Sequence, residues 1–297
     1  MDKTDIVCRE IQNMDTEIVD LYKYCGRTAP EGARGILTAY VPRTPEKVSA
    51  RRLRPAVLIL PGGGYAYTSE REAEPVALRF LVRGYAAFVL EYSCAPHRFP
   101  VALREAAMAM SYIRQNGDRF GVDPGMVAAM GFSAGGHLCG LLGMLYDSPE
   151  VSDIGPSELL RPDVLGLNYP VAVSWGRTHE GSFQNLTGED VALRSRLSLE
   201  KLARPDMPPV FLWHTRNDAS VPCRNSLILA QALEEAGVDF AMHIYRRGRH
   251  GLSTADEMVY PAWDLPEISG DVLDWLDAEM GFFRECGLKI KDLEGKI

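Results

Sequence analysis

A serine lies at the centre of a glycine-rich pentapeptide, GFSAG at residues 131–135, between two apolar runs. The run at residues 127–130 predicts a buried strand, and the stretch at about 138–146 predicts a helix. A serine at so sharp a strand-to-helix turn is strained, and small neighbours let the adjoining elements close in. The pattern predicts that Ser133 is a nucleophile, although a glycine-rich turn with an incidental serine stays open on these five residues alone.

A serine hydroxyl becomes a good nucleophile only when a base removes its proton. His250 lies in the loop GRHG, residues 248–251, immediately after the last clear strand of the sequence. From there it can approach the edge that carries Ser133. It is also the histidine that follows an acid in the chain order Ser, Asp, His, so we predict that His250 is the base.

The other five histidines are less suited to that role. His214 and His243 fall inside predicted strands, which indicates structural roles. His137 shares a helix face with the serine four residues before it, and it would not reach round the turn. His97 and His179 lie in loops and stay open as substrate contacts.

The acid is predicted to be Asp218, which follows the apolar run at residues 209–214. Its carboxylate would accept the imidazole N–H, fix the tautomer and stabilise the imidazolium. Alternatively, Asn217 and Asp218 only make a turn. Asp239 and Asp256 are weaker candidates because neither directly follows a strand.

A triple glycine at residues 62–64 follows the apolar run at residues 55–60. Glycines let backbone amides approach a substrate closely. The amides of Gly63 and Gly64, with that of Ala134 after the nucleophile, are predicted to form an oxyanion hole.

The elements that must position these groups alternate along the chain. Short continuous apolar runs, typical of strands buried on both faces, occur at residues 55–60, 85–92, 127–130, 164–167, 209–214 and 240–245. Helices are predicted at residues 70–82, 100–115, 138–146, 222–236 and within 260–280, with a strand at 35–41, a strand or short helix at 15–24, and a solvated loop at 43–54. This alternation predicts an α/β fold with a doubly wound, mostly parallel sheet and helices on both faces.

The 297 residues are predicted to form one domain, 1–297, with a cap or lid insertion at about residues 174–204 that breaks the alternation. The net charge of -8 argues against a nucleic-acid or anionic-membrane partner. The start of the chain lacks a secretion-signal pattern, and no apolar stretch is long enough to span a membrane. Six scattered cysteines without a C-x-x-C pair indicate reduced thiols, so we expect a cytoplasmic protein.

Four motifs in this order resemble the α/β-hydrolase superfamily: PGGGY at residues 61–65, GFSAGGH at 131–137, Asp218 before Val221-Pro222, and GRHG at 248–251. More narrowly they resemble the hormone-sensitive-lipase-like esterases, especially the bacterial acetyl-esterase and acetylxylan-esterase-like branch, over about residues 36–283. Residues 69–75 and 91–93 are similar to the acetylxylan-esterase-like sequences. Pro61 departs from the lipase branch, which usually has a supporting histidine there. The resemblance implies an eight-stranded sheet and a triad of Ser133, Asp218 and His250.

The expected function is a serine carboxylesterase that works through an acyl-enzyme and needs no metal or organic cofactor. The polar segment at residues 176–182 favours a short acyl group, most simply acetyl. Tyr65, Trp175 and His179 are the predicted substrate contacts. The aromatics Tyr65, Tyr67 and Trp175 near a polar rim suit a sugar ring stacked on an aromatic, so an acetylated sugar or xylo-oligosaccharide is expected.

Two alternatives stay open. A peptidase or amidase, related to prolyl oligopeptidases or formamidases, would use the same triad. A non-catalytic ligand-binding member of the fold would typically lack a triad residue, and none is missing here. A small-molecule ester is the expected partner, and the sequence leaves a homo-oligomer open.

Overall fold

The apolar runs form strands in the structure, a computed structural model that describes residues 14–43 and 52–292. The strands in these ranges are β1 (Met14–Asp20), β2 (Ile36–Pro42), β3 (Arg52–Leu60), β4 (Ala86–Glu91), β5 (Val122–Phe132), β6 (Val164–Asn168), β7 (Val210–Thr215), β8 (Phe240–Tyr245) and β9 (Lys291–Asp292). The first eight form a sheet in the order β1-β2-β4-β3-β5-β6-β7-β8. Neighbours from β4 to β8 are parallel, whereas β1 and β2 join the sheet antiparallel. The predicted eight-stranded, mostly parallel sheet is confirmed, and β9 adds a short antiparallel pairing to the start of β3.

Helices cover both faces of this sheet. Those in the described ranges are α1 (Leu21–Tyr24), α2 (Glu74–Leu81), α3 (Val101–Gln115), α4 (Gly117–Phe120), α5 (Ala134–Leu145), α6 (Ser157–Leu160), α7 (Glu180–Thr187), α8 (Val191–Arg196), α9 (Arg224–Glu235) and α10 (Trp275–Glu285). None of the helices within residues 14–43 and 52–292 combines the length and the hydropathy that a bilayer-spanning segment needs.

Strand β3 shows why the core has two halves. Its alternate residues Leu58 and Leu60 belong to one buried cluster with side chains from α3, α5 and α9. Val57 and Ile59 belong to a second cluster with side chains from α2 and α10. An apolar run with no polar alternation is thus buried on both faces, as expected for a parallel strand between two helical layers.

Prolines account for two differences from the predicted helices. The segment predicted as one helix at 70–82 is a 3-10 turn, Glu70–Glu72, followed by α2 with Pro75 in its first turn. In the C-terminal segment the α-helix begins only at Trp275, after 3-10 turns at Ala262–Asp264 and Gly270–Asp274. Pro266 lies between these turns and prevents a continuous helix.

The N-terminal predictions were partly right. The segment predicted as a strand or short helix at 15–24 contains both, since β1 ends where α1 begins. The loop predicted at 43–54 ends earlier, because β3 starts at Arg52, and residues 44–51 lie outside the described residues.

Candidate active site

Ser133 lies at the sharp turn between β5 and α5. Its φ of 54° and ψ of -116° are strained for a non-glycine residue. A Cβ on Gly131 would lie 2.1 Å from the carbonyl oxygen of Gly135, and one on Gly135 would lie 2.1 Å from that of Leu60. Both neighbours therefore have to be glycine, and the turn presents the Ser133 hydroxyl at the carboxyl edge of the sheet.

A continuous chain of hydrogen bonds joins the three residues predicted as a triad. The Oγ of Ser133 lies 2.8 Å from Nε2 of His250, and Nδ1 of His250 lies 2.6 Å from Oδ2 of Asp218. Ser133, Asp218 and His250 follow β5, β7 and β8, whose parallel carboxyl ends meet at one edge. The structure thus brings together groups that are 117 residues apart in sequence.

Asp218 is held as a carboxylate. Its Oδ1 accepts hydrogen bonds from the amides of Ser220 and Val221, both at 2.9 Å. Burial opposes its ionisation, but the hydrogen bonds with His214 and His250 outweigh burial and hold the pKa of Asp218 well below its usual range. An anionic Asp218 requires a proton on Nδ1 of His250, which leaves Nε2 free to accept the proton of Ser133.

His214 is a second neighbour of Asp218 that the sequence analysis treated only as structural. Its Nε2 lies 2.8 Å from the carbonyl oxygen of Val221 and 3.3 Å from Oδ2 of Asp218. Its Nδ1 lies 2.7 Å from Oγ of Ser226, which can donate to it. His214 therefore helps to hold the Asp218 carboxylate in place. The sequence signal for this contact is the position of His214 four residues before Asp218.

The triple glycine adopts backbone angles that a side chain would oppose. Gly63 has a φ of +124° and Gly64 a φ of +65°, and a Cβ on Gly63 would lie 2.1 Å from the carbonyl oxygen of Tyr67. Both glycines line a cavity of about 360 Å³ with Ser133 and His250, which we call the nucleophile cavity. No acceptor within the described residues takes the amides of Gly63 or Gly64. Ala134 starts α5, so its amide has no acceptor in the helix.

A buried glutamate fastens the glycine loop, residues 61–64, to the rest of the site; we call this segment the oxyanion loop after its predicted role. Glu72 accepts from the amide of Gly62 through Oε2 and from the hydroxyl of Tyr169 through Oε1, both at 2.8 Å. The Tyr169 hydroxyl in turn accepts from the amide of Ser253 at 2.9 Å. The Tyr169 ring also stands edge-on to His250, with 5.2 Å between ring centroids. Burial raises the pKa of Glu72, although both hydrogen bonds oppose the shift.

The three predicted substrate contacts differ in whether they reach the nucleophile cavity. Tyr65 is only 2% exposed and its hydroxyl lies 2.9 Å from Nδ1 of His137, so the prediction that it stacks on a sugar is wrong. Trp175 is partly exposed, but it donates to Glu200, lies under the Arg224 guanidinium and does not line the nucleophile cavity.

His179 does line the nucleophile cavity. Its Nδ1 accepts from the amide of Ser182, and burial lowers its pKa, so a neutral ring keeps Nε2–H for a ligand. The exposed aromatic of this cavity is Tyr67, which the sequence placed with Tyr65 and Trp175 near the polar rim but not among the substrate contacts. Among the described residues, no three His, Cys, Asp or Glu side chains cluster closely enough to hold a metal ion.

Two family models match the chain. The prolyl oligopeptidase family matches residues 103–267, and the BD-FAE family matches residues 42–159. The solved structure of an acetyl ester-xyloside bifunctional hydrolase from Caldicellulosiruptor lactoaceticus is 34% identical, with a TM-score of 0.78 over 92% of this chain and 97% of that one.

Two curated relatives are longer proteins. Endo-1,4-beta-xylanase B from Butyrivibrio fibrisolvens is 36% identical over 73% of this chain and 35% of its own length. An acetylxylan esterase from Xylanibacter ruminicola is 29% identical over 70% of this chain and 42% of its own length. The chain thus spans less than half of the length of either relative.

Proposed function

This chain belongs to the α/β-hydrolase superfamily, and from that premise we propose that it is a serine carboxylesterase acting on short acyl esters, chiefly acetyl esters of sugars. The observation that carries this proposal is the unbroken contact from Ser133 through His250 to Asp218 beside unpaired loop amides. The likeness to an acetyl ester-xyloside hydrolase and to an acetylxylan esterase supports the acetyl-sugar part.

Each residue has a defined step in the proposed reaction. Ser133 Oγ attacks the ester carbonyl while Nε2 of His250 takes its proton, and Asp218 stabilises the imidazolium that forms. The amides of Gly63, Gly64 and Ala134 hold the oxyanion of the tetrahedral intermediate. His250 then gives the proton to the departing alcohol, and a water molecule repeats the sequence on the acyl-enzyme to release the acid.

The walls of the nucleophile cavity favour a short acyl group. Beside the catalytic groups and glycines, the cavity is lined mostly by polar residues such as His179, Asn185 and Ser220, with Ala66 and Tyr67 as its small apolar surface. A long acyl chain would lose water contact against the polar groups, and this small apolar surface would cover little of the chain. Acetate or propionate esters avoid this cost.

We also propose that residues 174–204 act as a lid. This segment carries α7 and α8. The side-chain amide of Asn185 on α7 donates to the carbonyl oxygen of Gly64 at 2.9 Å, so the segment is attached to the oxyanion loop.

No disulfide joins the five cysteines within the described residues, which supports action in a reducing compartment such as the cytoplasm.

The test is hydrolysis of p-nitrophenyl acetate, butyrate and octanoate, with acetate release from acetylated xylo-oligosaccharides. We expect rates that fall with acyl length and that Ser133→Ala abolishes. The matched control is Ser111→Ala, which removes a buried serine of α3 outside the site. A folded wild type inert towards every ester would contradict the proposal.

The prolyl oligopeptidase match supports a second candidate, a peptidase with the same triad. Aminoacyl p-nitroanilides separate the two, because only a peptidase cleaves the anilide amide efficiently. An anilide rate above the acetate rate would favour the peptidase.

A further inference from the structure

We propose that the alcohol half of the substrate is an uncharged oligosaccharide, and that its sugar chain passes from the nucleophile cavity over Tyr67 into a second cavity. This inference rests on the proposed esterase function and assigns a site for the leaving group. The second cavity, which we call the glycan cavity, has a volume of about 910 Å³. That volume is large enough for several sugar units, whereas the nucleophile cavity is much smaller.

The two cavities meet along one stretch of chain. Ala66, Tyr67, Ser69 and Arg71 line both of them. A group bound at Ser133 therefore reaches the glycan cavity by crossing this stretch, without passing through the protein core.

The leaving group departs on the side where the cavities meet. His250 must protonate the departing alcohol, so the alcohol lies on its side of the site. Gly251 follows the base directly, and a Cβ placed on it would lie 3.6 Å from Nη2 of Arg71. Because Arg71 belongs to both cavities, the route from His250 leads towards the glycan cavity.

Tyr67 provides the platform at this junction. Its side chain is 62% exposed, and its ring and hydroxyl make no hydrogen bond or ring contact with any residue that the structure describes. A Cβ on Gly63 would lie 3.1 Å from Cδ2 of Tyr67, so the ring lies against the oxyanion loop. An exposed ring with a polar tip suits the apolar face of a sugar and a hydroxyl at its rim.

The charges of the glycan cavity select the class of ligand. Four carboxylates line it, against the guanidinium groups of two arginines: Glu31, Glu70, Glu74 and Glu91, with Arg34 and Arg71. Arg34 is paired with Glu91 at 3.2 Å. The excess of negative charge opposes phosphorylated or carboxylated ligands, and the polar groups oppose a long acyl chain. A ligand rich in hydroxyl groups and without charge satisfies both conditions.

The test compares acetylated xylose with acetylated xylo-oligosaccharides of two to five units. For the wild type we expect kcat/KM to rise with the number of sugar units. Tyr67→Ala should remove that rise, so that kcat/KM for the longest substrate, relative to that for p-nitrophenyl acetate, falls about tenfold, as expected for a lost stacking contact. Tyr67→Phe keeps the ring and should retain most of the rise.

Tyr24→Ala is the matched control, since Tyr24 is an exposed tyrosine that lines neither cavity. A wild-type kcat/KM independent of sugar number would overturn the inference while leaving the esterase proposal intact. An equal loss on p-nitrophenyl acetate and on oligosaccharides in Tyr67→Ala would overturn it as well. A wild type that hydrolyses no ester would instead overturn the proposed function.

Discussion

Two buried carboxyl groups lie near Ser133, and their surroundings differ. Asp218, on the histidine side, faces two imidazoles and two backbone amides, and its pKa is held low. Glu72, on the oxyanion side, meets only an amide and a tyrosine hydroxyl, and its pKa is raised. Both carboxyls are fully hydrogen-bonded, yet only one has a partner that can become a cation.

The difference indicates that the two carboxyl groups have different roles in catalysis. A carboxylate beside an imidazole stabilises the positive charge that appears during acyl transfer, so Asp218 should affect the chemical step itself. Glu72 receives hydrogen bonds from Gly62 in the oxyanion loop and from Tyr169 beside His250, so it should set the relative positions of the oxyanion donors and the base.

The largest effect is expected from Asp218→Asn. The NH₂ group of the amide can donate to Nδ1 of His250 and hold the wrong tautomer, with the ring proton on Nε2, so kcat for p-nitrophenyl acetate should fall by about 10³- to 10⁴-fold. Steady-state kinetics with the folded variant, verified by circular dichroism, measures this. A loss below about tenfold would mean that Asp218 is only a turn residue.

Glu72→Gln should have an intermediate effect. The amide oxygen can still accept from Gly62, but the NH₂ group then faces Tyr169, whose hydroxyl loses its carboxylate acceptor. We expect kcat for p-nitrophenyl acetate to fall about ten- to a hundredfold, the equivalent of one charge-assisted hydrogen bond. Glu234→Gln, an exposed glutamate of α9, is the control.

The pH dependence of Glu72→Gln distinguishes positioning from mere structural damage. Since the pKa of Glu72 is raised, lowering the pH protonates the wild-type carboxylate and removes one of its acceptors. The ratio of the wild-type rate to the variant rate should therefore fall towards one as the pH falls. A ratio constant with pH would contradict an ionised Glu72.

The last prediction concerns stability and leaves the rate unchanged, and it tests what burial does to a carboxyl group that lacks strong hydrogen bonds. Neither carboxyl oxygen of Glu279 on α10 makes a hydrogen bond of normal geometry in the described residues, and burial raises its pKa strongly against a weak opposing contact with the Asn168 side chain. The folded state then binds more protons than the unfolded state above the ordinary glutamate pKa, so Glu279 lowers the free energy of unfolding as pH rises. Glu279→Gln should gain stability relative to wild type, by up to about 1.4 kcal/mol per pH unit.

Urea unfolding across about pH 5 to about pH 8 measures this difference. Glu285→Gln, an exposed position near the end of the same helix, is the matched control and should show no such trend. If the Glu279→Gln difference stays constant with pH, Glu279 is ionised in the folded protein.

The strand pattern of the sequence predicts the groups that lie directly after the carboxyl ends of strands. Ser133, Asp218 and His250 each follow a strand of a parallel sheet, so their meeting at one edge follows from the strand pattern. Glu72 could not be found in this way, because its partner Tyr169 lies 97 residues away and only the folded structure shows their contact.

The aromatic contacts depend on the turn geometry. Tyr65 has a positive φ of 56°, and its ring is buried. Tyr67, two residues later, is exposed beside the site. Composition and spacing place both tyrosines near the oxyanion loop, but they do not determine which of the two faces solvent.

The measurement that tests the central claim most directly is covalent labelling with p-nitrophenyl butylphosphonate, followed by mass spectrometry of the digested protein. Ser133 Oγ would bond to phosphorus and displace p-nitrophenolate, which gives a stable analogue of the tetrahedral intermediate. The account predicts one adduct, on the peptide that contains Ser133, with loss of esterase activity in proportion to labelling and no adduct in Ser133→Ala. Labelling at another residue, or esterase activity that survives in Ser133→Ala, would contradict it.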